Sequence, residues 1–201
     1  MKVRPDVFLI MRIGLIDCDY TGKFPNIALM KLSAHHKRQG DSVMWYDHFS
    51  GEFDRVYVSK VFSFTPDFLE HINAKEVIKG GSGYAIKLID GREFYDNSKD
   101  IDLPSEIEHI CPDYDLYNIK DTAYGFLSRG CPRGCEFCHV AKKEGRISRK
   151  VADLSEFWRG QKKYVFVTLT YWLVGIGATY CSNWKIVERT LTLIKDLMRG
   201  C

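Results

Sequence analysis

The 201-residue sequence carries little net charge: 29 Lys and Arg stand against 26 Asp and Glu, for a formal net charge of +3. So small an excess does not indicate nucleic acid or an anionic membrane as a partner. A basic stretch over 142–150 has no aromatic side chains between its basic ones, unlike surfaces that bind single-stranded nucleic acid, so we interpret it as a solvated face. Its basic members are Lys142, Lys143, Arg146, Arg149 and Lys150.

The sequence also lacks a recognisable secretory segment, which favours the cytoplasm, a reducing compartment in which thiols stay free. We therefore expect no disulfides among the seven cysteines. The composition, 45% hydrophobic and 27% charged, is that of an ordinary soluble protein with one sizeable core or two small ones.

A complete phosphate-binding glycine motif is missing as well. Residues 80–83 read Gly-Gly-Ser-Gly, but the pattern G-x-G-x-x-G would need a glycine where Ile86 stands. The segment therefore predicts a turn. Just beyond it, the runs 84–88 and 93–95 flank Asp90 and Gly91, which predicts a β-hairpin.

Three cysteines, Cys131, Cys135 and Cys138, stand close together in a C-x3-C-x2-C spacing that follows the apolar run 124–127. Thiolates this close in sequence can converge on one soft metal centre. Because an iron–sulfur cluster normally takes four such ligands, three leave one iron open to another ligand. This loop is the candidate metal site of the chain.

A structural zinc site that combines the three cysteines with His139 is an alternative. Neighbouring residues such as Cys138 and His139 tend to point apart, however, and zinc sites usually pair their ligands as C-x2-C. The other cysteines show no ligand spacing, and we interpret them as small buried hydrophobes. They are Cys18, Cys111, Cys181 and Cys201.

The loop, with the aromatic Phe137 just before its last cysteine, resembles the signature of the radical SAM superfamily. The resemblance implies that Cys131, Cys135 and Cys138 hold a [4Fe–4S] cluster and that S-adenosylmethionine (SAM) chelates its fourth iron, with Phe137 beside the adenine. A one-electron reductant of the flavodoxin or ferredoxin type would then drive cleavage of SAM to a 5′-deoxyadenosyl radical. The protein's share is to position the cofactor and exclude side reactions. The substrate and any further catalytic residue stay unknown.

The residues ahead of this loop predict an α/β domain. The apolar run 11–17 is short and closed by Asp17, as expected for a buried parallel strand. Asn26 is a good N-cap for a helix over 27–39, and Gly40 ends that helix. Further strands are predicted over 42–46 and 55–61.

This succession of elements resembles the cobalamin-binding-like Rossmann domain found ahead of many radical SAM barrels. The cobalamin ligand of that family lies in an Asp-x-His-x-x-Gly phrase, and residues 47–51 have a different spacing, so we expect no bound cobalamin. We interpret His35, His36 and His48 as surface residues. The fold class implied is α/β, with a Rossmann-like N-terminal domain followed by the first β/α unit of a radical SAM partial barrel.

Prolines and acidic residues over 103–117 predict a linker with one helical turn and a domain boundary near Lys120. The Rossmann-like domain and linker then span 11–120, and the start of the barrel spans 121–162. Within the barrel, 121–129 is the predicted first strand and 148–161 an amphipathic crossover helix. Residues 1–10 are interpreted as an upstream extension, because Met11 begins directly on the first strand.

The last part of the chain predicts no coherent element. Residues 164–184 carry no charge, but their polar residues and lack of periodicity make a poor membrane span, so we expect no membrane segment. Back-translation of 167–172, read from its third base, yields D-P-N-I-L, and 190–201 yields D-F-N-Q-G-L-D in the same way. Both phrases resemble barrel strands of a radical SAM group. We therefore expect 163–201 to be out of frame and the chain to be truncated, which leaves a catalytically inactive fragment as an alternative.

Overall fold

The computed structural model describes residues 10–20, 24–135 and 138–166. The chain is mixed α/β, and its first half forms a four-stranded sheet in which every neighbouring pair is parallel. The strand order is β2-β1-β3-β4. The strands are β1 (Arg12–Asp17), β2 (Ser42–Trp45), β3 (Phe53–Ser59) and β4 (Ala74–Gly80).

Helix α1 (Ile27–Gln39) connects β1 with β2 and begins and ends where the sequence predicts. The Asn26 side chain accepts a hydrogen bond from the Leu29 N–H at 3.2 Å. Gly40 ends the helix in the left-handed conformation, with φ of 88°, which glycine adopts without steric cost. The strands predicted over 11–17, 42–46 and 55–61 are confirmed within two residues at each end, whereas β4 was not predicted.

The core lies on both faces of this sheet. Ile13 and Leu15 of β1 pack with α1, and Ile16, which follows Leu15 and so points to the opposite face, packs with Phe53 and Val56. All five side chains are buried. His36 of α1 is also buried, so its expected place at the surface is wrong. Its ring lies between Asp41 and Tyr57, and both of its nitrogens are in hydrogen-bonding distance of these two side chains.

A hairpin follows the sheet, as predicted. Its two strands are antiparallel and are joined by Asp90 and Gly91, both with positive φ, as a two-residue hairpin turn requires. The predicted turn at 80–83 is the end of β4 followed by one helical turn, and the linker contains a further helical turn. These elements are α2 (Ser82–Ala85), β5 (Ile86–Ile89), β6 (Arg92–Tyr95) and α3 (Ser105–Glu108).

The cysteine-loop region, which we define as residues 122–166, consists of short elements. The strand predicted over 121–129 is present as two pieces, of which the first pairs in parallel with the last described strand and the second is antiparallel to a two-residue strand beyond the loop. The elements are β7 (Thr122–Gly125), β8 (Ser128–Arg129), α4 (Val140–Glu144), β9 (Arg149–Lys150), α5 (Leu154–Phe157) and β10 (Lys163–Phe166).

The crossover helix predicted over 148–161 is wrong in length, because only the turn α5 is helical. Its start is extended, since Arg149 and Lys150 pair with β8. Asp153 then caps the turn in a capping box with Glu156, and Trp158 returns to extended backbone. The amphipathic spacing reflects one buried side chain, Phe157, rather than a continuous helical face.

The predicted extension over 1–10 lies outside the described residues except for Ile10. Of the segment expected to be out of frame, only β10 is described. Within the described ranges, no helix has the length and apolarity that crossing a membrane requires.

Candidate metal centre

The three-cysteine loop, residues 131–138, follows β8 and leads into α4. Its base is held by backbone hydrogen bonds to the end of that helix. The Cys131 N–H donates to the Gly145 carbonyl at 3.0 Å, and the Gly130 N–H donates to a Glu144 carboxylate oxygen, also at 3.0 Å. A Cβ at Gly130, where φ is 94°, would lie 2.2 Å from the Ile147 carbonyl oxygen. Only glycine fits this close approach.

The loop brings two of the predicted ligands together. Cys135 and Cys138 line one open concavity of about 310 Å³, and the Cys138 N–H donates to the Cys135 carbonyl at 3.0 Å. Cys131 is partly buried but does not line that concavity. Nowhere in the described ranges do three His, Cys, Asp or Glu side chains stand close enough to hold a metal ion. Phe137, expected beside the adenine, lies outside the described residues.

Positive charge borders this concavity. Lys142 and Arg146, which belong to the basic stretch, contribute to its lining beside Cys135 and Cys138. Arg146 also lies against Gly134, where a Cβ would stand 2.9 Å from the guanidinium carbon. Cations at this edge attract an anionic group bound by thiolates. The soft donors, the open concavity and this charge are of the kind that an iron–sulfur cluster requires, but only two of the three thiols line the concavity.

His139, the residue named by the zinc alternative, lies on a different side of the loop. Its Nε2 is 3.2 Å from a carboxylate oxygen of Glu93, and its ring stacks on Tyr95 of the hairpin. Its Nδ1 is buried without a hydrogen-bond partner. A ring nitrogen oriented by a carboxylate on the other nitrogen is the arrangement of many metal-bound histidines. His139 does not, however, line the concavity of Cys135 and Cys138.

No protein-family model, curated protein or solved structure matches this chain. Its function is therefore inferred from the residues of the loop and from their surroundings.

The two lone cysteines within the described residues are half-buried rather than fully buried. Cys18 packs against the core cluster of Phe53 and Val56. Burial raises the pKa of the thiols of both Cys18 and Cys111, which keeps them in the protonated and less reactive form. Cys181 and Cys201 lie outside the described residues.

Sequence reasoning missed the ionic contacts that join the loop to the rest of the chain. Arg129 lies between the carboxylates of Glu108 and Glu144, and Glu108 also contacts Lys31 of α1. Also from α4, Lys143 contacts Asp100 at 2.9 Å. These partners are far apart in sequence and follow no spacing rule, so nothing in the sequence indicates their pairing.

Proposed function

We propose that this chain is a radical SAM protein in which Cys131, Cys135 and Cys138 hold a [4Fe–4S] cluster. The observation that carries the proposal is the C-x3-C-x2-C spacing, two of whose thiols line one open concavity with basic side chains at its edge. When bound, the cluster and SAM supply reductive cleavage of the sulfonium to a 5′-deoxyadenosyl radical. The substrate is not named by any feature of the described residues.

The surrounding fold supports this function. The cysteine loop lies between β7 and β10, two parallel neighbours, and active sites of β/α barrels lie in the loops that follow such strands. We infer that β7, the loop and β10 are the first β/α unit of a radical SAM partial barrel. By the same proposal the sheet β2-β1-β3-β4 is a Rossmann-like domain, which we expect to bind no cobalamin.

The residues of the chain have separable tasks in this proposal. The cysteines bind iron, and the glycines at 130 and 134 allow the loop to turn tightly around them. Lys142 and Arg146 hold positive charge beside the anionic cluster. Electrons would come from a flavodoxin-type or ferredoxin-type donor in the cytoplasm.

A zinc-binding module is the second candidate, and the observation that favours it is the partnerless Nδ1 of His139. Imidazole and thiolate together are common zinc ligands. This candidate requires the loop to bring His139 to Cys135 and Cys138, just as the cluster requires it to bring Cys131 there, because neither residue lines their concavity in the described structure.

Anaerobic reconstitution of the full chain with iron and sulfide tests the function. We expect a brown protein with broad visible absorption, and we expect Cys135→Ala to lose it while Cys111→Ala, the matched lone-cysteine control, retains it. A reduced protein that then releases 5′-deoxyadenosine from SAM is an active enzyme, whereas a cluster without this product identifies an inactive fragment.

The contrary outcomes are equally specific. A chain that takes up no iron while its loop thiols remain intact refutes the cluster assignment. A colourless chain that binds zinc, and loses it in His139→Ala, establishes the second candidate instead.

A further inference from the structure

A series of four charged side chains connects helix α1 with the three-cysteine loop. Lys31 of α1 has its Nζ 3.1 Å from Oε1 of Glu108. The same Glu108 oxygen is 3.3 Å from Nη2 of Arg129, and Nη1 of Arg129 is 3.2 Å from Oε1 of Glu144. The charges therefore alternate in sign along this series, from α1 through α3 and β8 to α4.

The last member of this series, Glu144, contacts the backbone at the start of the three-cysteine loop. The second oxygen of Glu144 accepts the Gly130 N–H, and the next residue, Cys131, donates its N–H to the carbonyl that follows Glu144. The Arg129 guanidinium also lies over the Phe126 ring, 4.3 Å from its centre. Arg129 is thus fixed by both carboxylates and by a ring, two residues before the first cysteine of the loop.

Partial burial makes these contacts more sensitive to substitution than surface ion pairs are. The side chains are between 10% and 26% exposed. Burial lowers the pKa of Lys31, because desolvation disfavours the ammonium form, and the Glu108 carboxylate opposes that shift. Removing one partner from a shielded pair leaves an uncompensated charge, which is more unfavourable than the loss of an exposed pair.

Glu108 is the member of this series that contacts both cations, Lys31 and Arg129. Without its charge, Lys31 loses its carboxylate partner and Arg129 keeps only Glu144, and repulsion between the two cations favours movement of Arg129. Because Arg129 and Glu144 hold the base of the loop, such a movement displaces Gly130 and Cys131.

We propose that Glu108 is a positioning residue for the three-cysteine loop, which it fixes to α1 through Arg129 and Glu144, so that α1 helps to support the cluster site. The role in cluster geometry rests on the function proposed above. The ordering of Gly130 and Cys131 can be measured in the metal-free chain and does not rest on it.

The test compares Glu108→Gln, which keeps the shape and removes the charge, with Glu76→Gln. Glu76 pairs with Arg55 at 2.6 Å and is half exposed on β4, away from the loop. In the metal-free chain we expect Glu108→Gln to raise amide hydrogen exchange at Gly130 and Cys131 by about tenfold or more, because opening becomes easier. After reconstitution we expect a changed electron paramagnetic resonance signal of the reduced cluster. Glu76→Gln is expected to change neither.

Glu144→Gln removes the last carboxylate of the ion-pair series. It is expected to have the same two effects, so the test does not depend on one variant folding. Unchanged exchange at Gly130 and Cys131 in a folded Glu108→Gln or Glu144→Gln protein overturns the proposal. If the unaltered chain takes up no iron, the proposed function fails, while the exchange comparison still decides the role of Glu108.

Discussion

The parallel sheet and the cysteine-loop region are stabilised in different ways. In the sheet, apolar side chains such as Ile13, Leu15 and Phe53 are almost completely buried. Among the described residues of the cysteine-loop region, the buried hydrophobic side chains are Ala123 and Phe157. This region is held instead by ion pairs, by glycine turns and by hydrogen bonds to neighbouring segments.

This contrast indicates that the sheet is the more stable region, whereas the loop depends more on its contacts with neighbouring segments. Burial of apolar surface is the dominant favourable contribution to folding, and the sheet has most of it. A loop held by polar contacts opens more easily, and a metal bound there adds its binding free energy to the order of the loop. Substitutions in the two regions should therefore have effects of different size and kind.

The largest effect is expected from Phe53→Ala in the sheet. Phe53 is 0% exposed and packs with Ile16 and Val56, so its removal leaves a cavity on that face of the sheet. We expect the free energy of unfolding to fall by about 3–5 kcal/mol. Urea unfolding followed by circular dichroism measures this change.

Phe49→Ala is the matched control, because Phe49 is 96% exposed. We expect its effect to stay within about 0.5 kcal/mol. A Phe53→Ala protein that is as stable as the control would show that the sheet is not the stable part of the molecule, and the comparison would fail.

An intermediate effect is expected from Gly125→Ala, which acts on the cysteine-loop region. A Cβ at Gly125 would lie 2.4 Å from the ring of Phe157, the main buried side chain of that region. Forcing the two apart is expected to cost about 1–3 kcal/mol. Iron uptake should fall together with the stability, because β7 and α5 flank the loop that carries the cysteines.

Gly80→Ala is the control for this substitution. No atom lies within 4 Å of a Cβ at Gly80, and its φ is not positive. We expect it to be neutral or to stabilise the chain by about 0.4–1 kcal/mol, since alanine restricts the unfolded chain. Equal effects of the two substitutions on urea unfolding would contradict the close packing of Phe157 on β7.

The contrast between the regions also explains what could be predicted from the sequence. Helix α1 was predicted to the residue, because Asn26 and Gly40 mark its ends by local chemistry. The cysteine spacing is also a local signal, and two of its three thiols line one concavity, while the metal site itself stays a prediction. Both signals lie within a few neighbouring residues.

The errors have non-local causes. The crossover helix was overestimated because pairing of Arg149 and Lys150 with β8 overrides an amphipathic spacing. His36 was placed at the surface because its partner Tyr57 is 21 residues away in the chain. The contact of Glu108 with Lys31 spans 77 residues, and no sequence pattern specifies it.

The smallest effect is expected from a change of pH. It tests whether a buried polar group, His36, contributes to the stability of the sheet. His36 is buried, with Nδ1 2.7 Å from Asp41 and Nε2 3.0 Å from the Tyr57 hydroxyl. Burial lowers the pKa of His36 below its ordinary value of 6.5, although Asp41 opposes the shift. The folded protein therefore contains a neutral imidazole that donates to Asp41 and accepts from Tyr57.

The unfolded chain binds a proton at His36 more readily than the folded chain does, because burial lowers the pKa of His36 in the folded state. Stability is thus complete above the ordinary pKa of 6.5 and is lost as the pH falls towards the lowered pKa of the folded state. Urea midpoints at about pH 7.5 and about pH 5.5 should differ in this direction, and His36→Gln should reduce the difference because it removes the titrating group. His71→Asn, on an exposed loop, should leave the difference as it is. An undiminished difference in His36→Gln would mean that the acid sensitivity arises outside the sheet core, and the polar cysteine-loop region would then be the place to look for it.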